Sequence, residues 1–223
     1  IPVVGRAQEI MMVIDHYMKS GEMVEAPVFT EGMISEASAI HESYPEYLAR
    51  ELKQKILETD DNPFDSEYFT NIEHADAREE PMRENSPCII LATSGMLEGG
   101  PVLEYFKNIA PDTKNKVLFV SYQVNGTMGR RVLDGSKQCS MLGKEGKVEV
   151  VSVNCGVEKL DGFSGHSDYN QLMSFVQRLR PKLRRVLVNH GERSKSENLA
   201  MNIRRTYKLA AHYPQIQEAI KLF

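Results

Sequence analysis

Two histidines stand in short loops rich in small residues. His166 lies within Gly162-Phe-Ser-Gly-His-Ser-Asp-Tyr169, and His190 within Arg185-Val-Leu-Val-Asn-His-Gly-Glu192. An imidazole titrates near neutral pH and ligates metals, so two in one site are candidates for metal binding or acid/base work. Ser164, Gly165, Ser167 and Gly191 leave room for a ligand beside them. Phe163 leads into the first histidine, and Val186, Leu187 and Val188 lead into the second. Between them Leu172, Phe175, Val176 and Leu179 fall at i, i+3, i+4 and i+7, the spacing of a buried helix face. The stretch is predicted as strand end, loop, helix, strand, loop. Strands joined in this way are expected to be parallel, with both loops at one end of the sheet. Ligands of open α/β sheets gather there, so the two histidines are expected to face one site.

Two earlier stretches suit an anion. Pro87 to Ala92 is predicted as a buried strand by its continuous apolar run. It runs into Thr93-Ser94-Gly95-Met-Leu-Glu-Gly99-Gly100-Pro101 and then a helix through Val102, Tyr105 and Phe106. A strand, a small-residue loop and a helix N-terminus offer free backbone N–H groups to an anion, or form a tight turn with no ligand. The loop lacks the lysine and spacing of a P-loop, which argues against a nucleoside triphosphate. The design repeats: a strand over Lys116 to Tyr122, a loop at Asn125-Gly126-Thr127 with a candidate N-cap, and a helix from Met128 to Leu133. Arg130 and Arg131, one turn into that helix, are suited to a phosphate. Arg6 also opens a helix, where the macrodipole disfavours a cation; it points to an anionic partner or to a solvated arginine.

The remaining elements supply the frame. A short apolar strand-like run precedes a first helix with Ile10, Val13, Ile14 and Tyr17 as its apolar face, ending at Gly21. Val24 to Thr30 is predicted as a strand, and Pro27 places it at a sheet edge or marks a strand end. A helix through Ile34 and Ile40 stops at Tyr44-Pro45, and another runs from about Glu46 to Leu57. Asp60, Asp61, Asn62, Pro63 and Asp65 form a solvated turn, and residues 66–85 a short helix and loops. Gly135 to Gly146 is expected as loop, Lys147 to Val153 as a strand and Arg193 to Leu209 as a helix. Successive strand-loop-helix units imply an α/β fold with a parallel, helix-flanked sheet. Arg178, Arg180, Lys182, Arg184 and Arg185 are the densest basic cluster; a solvated helix end is the plainer explanation, RNA contact the sharper one. The tail, with Ile216, Ile220, Leu222 and Phe223, is expected to dock on the fold or on a second subunit.

Composition excludes little. Hydrophobic and charged fractions of 41% and 26% are those of an ordinary globular protein. No apolar run approaches a membrane span. Cys88, Cys139 and Cys155 lack metal-type pairing and fit reduced thiols in a cytoplasmic protein. A net charge of −4 does not announce a nucleic-acid binder, so binding would need a local basic surface. The opening Ile-Pro-Val-Val, inside an apolar run and without an initiator Met, is expected of a piece of a longer polypeptide.

Phe163-Ser-Gly-His-Ser-Asp-Tyr169 and Val188-Asn-His-Gly-Glu192 resemble the late motifs of the β-CASP branch of the metallo-β-lactamase nucleases. Gly5-Arg6-Ala-Gln-Glu9, the Ser-Gly-Met and Gly-Gly-Pro elements and Gly126-Thr127-Met-Gly-Arg-Arg131 agree with that family. The resemblance is nearest to the archaeal form of the cleavage and polyadenylation specificity factor nuclease. It implies a β-CASP domain over residues 1–163 and, over 164–223, the C-terminal return of the chain into a metallo-β-lactamase αββα domain. It implies a ribonuclease that cleaves single-stranded RNA in 3′-end processing or transcription termination, using two zinc ions to generate a hydroxide and stabilise charge at phosphorus. His190 would be a zinc ligand, and His166 would stabilise developing charge or protonate the leaving oxygen. Arg6, Ser94, Gly95, Gly126, Thr127, Arg130 and Arg131 would hold the strand without reading bases. A homodimer through the C-terminal tail is a further implication. The family's principal motif, His-x-His-x-Asp-His, is absent from these residues, and one matched ligand cannot hold a catalytic zinc. The fragment alone is therefore expected to clamp nucleic acid and not to cut it. A non-catalytic scaffold paralogue and a DNA-directed nuclease of the same family are the alternatives.

Overall fold

The computed structural model describes residues 1–59, 61–83, 86–143 and 146–222. Asp60 of the acidic turn and Phe223 of the apolar tail lie outside the described residues. The chain divides into two compact units, one ending at Ser164 and one beginning at Gly165.

The first unit opens with α1 (Arg6–Lys19), β1 (Val28–Glu31), α2 (Ile34–Ser43), α3 (Arg50–Glu58), β2 (Phe69–Ile72), α4 (Glu80–Arg83) and β3 (Ile89–Ala92). The three strands form one parallel sheet in the order β2-β1-β3, with Val28 beside Phe69 and Ile89. All four residues of β1 are buried, as a strand with neighbours on both sides requires. The edge position allowed for this strand is therefore corrected: Pro27 sits just before a central strand, where its missing N–H costs no ladder bond. Ala7, Ile10, Met11, Ile14 and Met18 of α1 pack on Val28 and Leu91. Val13 and Tyr17, expected on that face, are exposed. Residues 1–5 hold turns and no strand, while β2 occupies a stretch expected to be helix and loop.

The unit continues with α5 (Val102–Ile109), β4 (Lys116–Phe119), α6 (Met128–Leu133), β5 (Gln138–Leu142), β6 (Val148–Ser152) and β7 (Gly156–Lys159). β4 pairs in parallel with β7, and β5 pairs antiparallel with β6. β5 corrects the expectation of loop over 135–146. Its pattern buries Cys139 and Met141 and exposes their neighbours, a half-buried alternation that only pairing with β6 completes. Phe106, Phe119, Met128, Val132, Val151 and Cys155 join these two residues in a second core. The three cysteines are free, and burial pushes the Cys139 and Cys155 thiols up, away from reactive thiolate.

The second unit holds α7 (Tyr169–Leu179), β8 (Arg185–Leu187), α8 (Arg193–Tyr207) and β9 (Ala210–His212). β8 pairs in parallel with β9. Its core is Met173, Val176, Val188, Ala200, Ile203 and Ala211. The expected face of α7 is corrected: Met173 and Val176 are buried, while Leu172, Phe175 and Leu179 are exposed. No helix among the described residues is long and apolar enough to cross a membrane.

One buried charge anchors the first sheet. Glu31, 6% exposed at the end of β1, accepts from Arg78 Nε at 2.7 Å and from the Tyr105 hydroxyl at 2.6 Å. Burial and this carboxylate push the Tyr105 phenol up, so it stays protonated and donating. Tyr105→Phe leaves one Glu31 oxygen without its buried donor. It is expected to lower unfolding free energy by about 1–3 kcal/mol in urea titrations. At the surface, Lys19 and Lys55 donate to Asp61 at 2.6 and 3.1 Å and hold its carboxyl below its usual value. That contribution is complete above the unfolded carboxylate pKa of about 3.9 and is lost as pH falls through the lower folded value. Asp61→Asn should therefore flatten stability against pH below about pH 4, read by thermal melts across an acid series.

Candidate functional site

The two histidine loops meet within the second unit. The His166 and His190 rings lie 5.9 Å apart between centroids, tilted by 36°, and both residues are exposed. The route to this arrangement differs from the expectation of two neighbouring parallel strand ends. β7 ends at Lys159, and His166 follows on a loop without strand structure; the strand that pairs with β8 is β9, which comes later. What fixes the first loop is the start of α7. The Asp168 side chain accepts from the Gln171 amide at 2.8 Å, and the Gln171 side chain accepts from the Asp168 amide at 2.9 Å. This reciprocal cap sets where the chain enters the helix, two residues after His166. The second loop is fixed from both sides. Val188 N donates to His212 O at 2.8 Å, extending the β8–β9 pairing to within two residues of His190. His190 takes φ 59°, and a side chain at Gly191 would come within 2.7 Å of the buried Ser196 hydroxyl. Glycine follows His190 because the loop there presses onto α8.

Two imidazoles at this separation can ligate one centre or act on one phosphate. Among the described residues no group of three or more His, Cys, Asp or Glu side chains could hold a metal ion. A catalytic zinc takes about three protein ligands. Among the described residues the two imidazoles therefore do not complete such a site.

The second of the two anion loops is built differently from the expectation of free amides. Every backbone amide from Thr127 to Arg131 already donates inside the chain. Thr127 N donates to Val124 O, Met128 N to a Glu98 carboxylate oxygen, Gly129 N to Met96 O at 2.8 Å, Arg130 N to the Thr127 hydroxyl at 3.2 Å and Arg131 N to Thr127 O. Thr127 is the predicted cap of α6, and Glu98 supplies the negative charge that the helix start favours. In the 93–101 loop the Ser94 amide donates to Gly99 O and the Leu97 amide to Ser94 O, and Gln123 Nε2 donates to Gly95 O at 2.9 Å. Gly129 has no room for a side chain, whose Cβ would meet Met96 O at 2.8 Å. The loops are locked together by Glu98, Gln123 and Gly129, none of which spacing alone marks as a site. The one available signal was an acid inside an otherwise small-residue loop.

The arginines are placed as follows. Arg6 pairs with Glu9 across the first turn of α1. Arg130 pairs with Asp134 at 2.8 Å. Arg131 is exposed. Gly126 is exposed at φ 94°, a left-handed turn open to glycine.

Residues 7–132 match the Beta-Casp domain, and residues 150–214 match the Zn-dependent metallo-hydrolase RNA specificity domain. The chain is 80% identical over its whole length to a transcription termination factor FttA of Cenarchaeum symbiosum, covering 35% of that protein. It is 47% identical over 98% of its length to the Pyrococcus abyssi protein of the same name, covering 34% of it, and 45% identical to that of Methanocaldococcus jannaschii. The chain thus spans about a third of the length of these curated relatives.

Glu98→Ala removes the acceptor of the Met128 amide and the charge at the start of α6. Because Glu98 is exposed, the expected loss is about 0.5–1 kcal/mol in denaturant titrations. Glu98→Gln, which keeps the acceptor, should lose less.

Proposed function

The chain belongs to the Beta-Casp domain family, and on that premise we propose that it is the RNA-gripping part of a zinc-dependent ribonuclease acting in transcription termination. The observation that carries this reading is the pair of imidazoles, His166 and His190, 5.9 Å apart on loops from separate elements. We assign residues 1–163 to the β-CASP domain and 164–223 to the return of the chain into a metallo-β-lactamase domain; the compact unit ending at Ser164 supports that division. The protein works in the cytoplasm, on single-stranded RNA, as a homodimer joined through its C-terminal tail.

His190 is the zinc ligand contributed by this chain. Two zinc ions would be held by His190 together with residues outside this chain, and when bound would supply Lewis-acid activation of water and charge neutralisation at the phosphate. His166 is the general acid. As a water that has already lost one proton adds to phosphorus and the bond to the leaving oxygen breaks, its ring N–H passes a proton to that oxygen, which departs as a hydroxyl, or hydrogen-bonds to the charged phosphate. Arg131, exposed beside the capped start of α6, holds the strand by its guanidinium. Arg6 and Arg130 can join it by exchanging Glu9 and Asp134 for phosphate. The Ser94-Gly95 and Gly126-Thr127 loops set the positions of these side chains.

The test uses the full-length polypeptide and the 223-residue chain side by side. The full-length protein should hold about two zinc ions per chain and cleave RNA. His190→Ala should lower both zinc content and cleavage. His166→Ala should keep the zinc and lower kcat by about 10²–10⁴. The 223-residue chain alone should bind RNA without cutting it. A full-length protein that binds RNA but no zinc would establish the scaffold alternative. Cleavage by the short chain, lost in His166→Ala, would show that its own residues suffice.

A further inference from the structure

The net charge of −4 conceals an uneven division. Residues 1–164 hold 16 Lys and Arg against 27 Asp and Glu, and residues 165–223 hold 11 against 4. The whole-chain value is the sum of −11 and +7. The acid excess of the first unit is concentrated early. Between Lys19 and Arg50 lie six glutamates and neither lysine nor arginine. One of them, Glu31, is satisfied internally by Arg78 and Tyr105. Glu36 and Glu46 stand exposed and in no ion pair among the described residues. A stretch of this sign repels phosphate, so contact with nucleic acid leaves it unexplained.

The same stretch carries an apolar stripe. Met33, Ile40 and Tyr44 lie along one side of α2, at i, i+7 and i+11, with Glu36 between the first two. Tyr47 follows in a single 3₁₀ turn, its amide donating to Tyr44 O at 3.1 Å. These four side chains are between 54% and 84% exposed. The helix cannot turn them inward, because its other side is already committed. Ile34 and Ala37 are buried there, and Ser38 accepts from Gln8 Nε2 of α1 at 3.1 Å. The stripe is therefore a fixed surface, about 15 Å long over the helix. Methionine and tyrosine grouped on a surface in this way mark an interaction site. The chemistry of the stripe selects its occupant. Unpaired glutamates attract Lys and Arg, and the open ring faces of Tyr44 and Tyr47 attract the same cations. A helix surface presents no strand edge, so an extended segment gains no ladder bonds on it. A second helix packs along it, with apolar anchors at i, i+4 and i+7.

We propose that the outer face of α2 and the turn after it form a docking surface for a lysine- and arginine-rich amphipathic helix of a partner protein. The proposal requires neither zinc nor RNA cleavage, so it stands or falls apart from the function proposed above.

The experiment is fluorescence anisotropy of the full-length polypeptide with a labelled peptide of about 15 residues, leucines at i, i+3, i+4 and i+7 and lysines elsewhere. Binding should weaken as salt rises. E36K/E46K should weaken it at least about tenfold, by turning attraction into repulsion. I40S/Y47S, which leaves the charge alone, should also weaken it at least about tenfold. E73K/D76K makes the same change of net charge at exposed acids outside the stripe and should bind like wild type. A peptide with serine for every leucine should bind at least about tenfold more weakly. Wild-type protein that does not bind the leucine–lysine peptide overturns the proposal. Equal weakening in E36K/E46K and E73K/D76K overturns it too, since the charge of the whole unit would then suffice. Two further measurements test the other occupants. A full-length protein whose melting temperature falls by several degrees in I40S/Y47S would assign the face to the rest of its own chain. Self-association in sedimentation, lost in E36K/E46K, would assign it to a second copy. Either result overturns the docking of a foreign helix.

Discussion

A carboxylate kept from water at the end of the central strand organises the first unit. Glu31 has one oxygen on Arg78 and the other on Tyr105, side chains that reach it from a turn after β2 and from α5. Such a group contributes little net stability, since desolvation offsets most of the attraction, but a chain that misplaces either partner strands a buried charge. The arrangement is therefore intolerant of alternatives. The next residue, Gly32, has φ 89°, and a side chain there would collide with Thr93 at the end of β3. Thr93 O in turn accepts from Val102 N at the start of α5, and the loop between them sends Glu98 to the start of α6. One constrained carboxylate is thus continuous with both small-residue loops.

That continuity changes what those loops are for. A helix start with open amides is a general anion receptor. Here a glutamate from a neighbouring loop has taken the anion's place, so the loops hold each other before any ligand arrives. An anion arriving at the start of α6 would meet side chains and not free backbone N–H groups.

Much of the fold was legible where a local signal was strong. The Asn125-Gly126-Thr127 loop marked a candidate helix cap, which the structure places at Thr127, and the Pro87–Ala92 run marked a strand, found over Ile89–Ala92 with its last two residues buried. The strands that escaped were three to five residues long. β2 exposes the polar pair Thr70-Asn71 in its middle, and β5 sits between glycines; each is a strand only because another strand lies beside it. Helix α7 shows the converse failure. Its apolar spacing was wide enough to fit two faces, and the one that packs on Val188 and Ala200 carries Met173 and Val176. The histidines do converge, yet by a cap and a left-handed residue and not by adjacent strand ends. Position along the chain showed that they belong together without showing how.

The opposed charges of the two units also govern how molecules of this protein treat one another. With −11 on one part of the chain and +7 on the other, an isoelectric point of 5.9 describes an average that no region possesses. Near neutrality such a polyampholyte is drawn to its own copies, acidic part to basic part, and the attraction reaches about 30 Å at 0.01 M salt but only about 10 Å at 0.1 M. Its solubility should rise with ionic strength, and it should be retained by cation and anion exchangers alike.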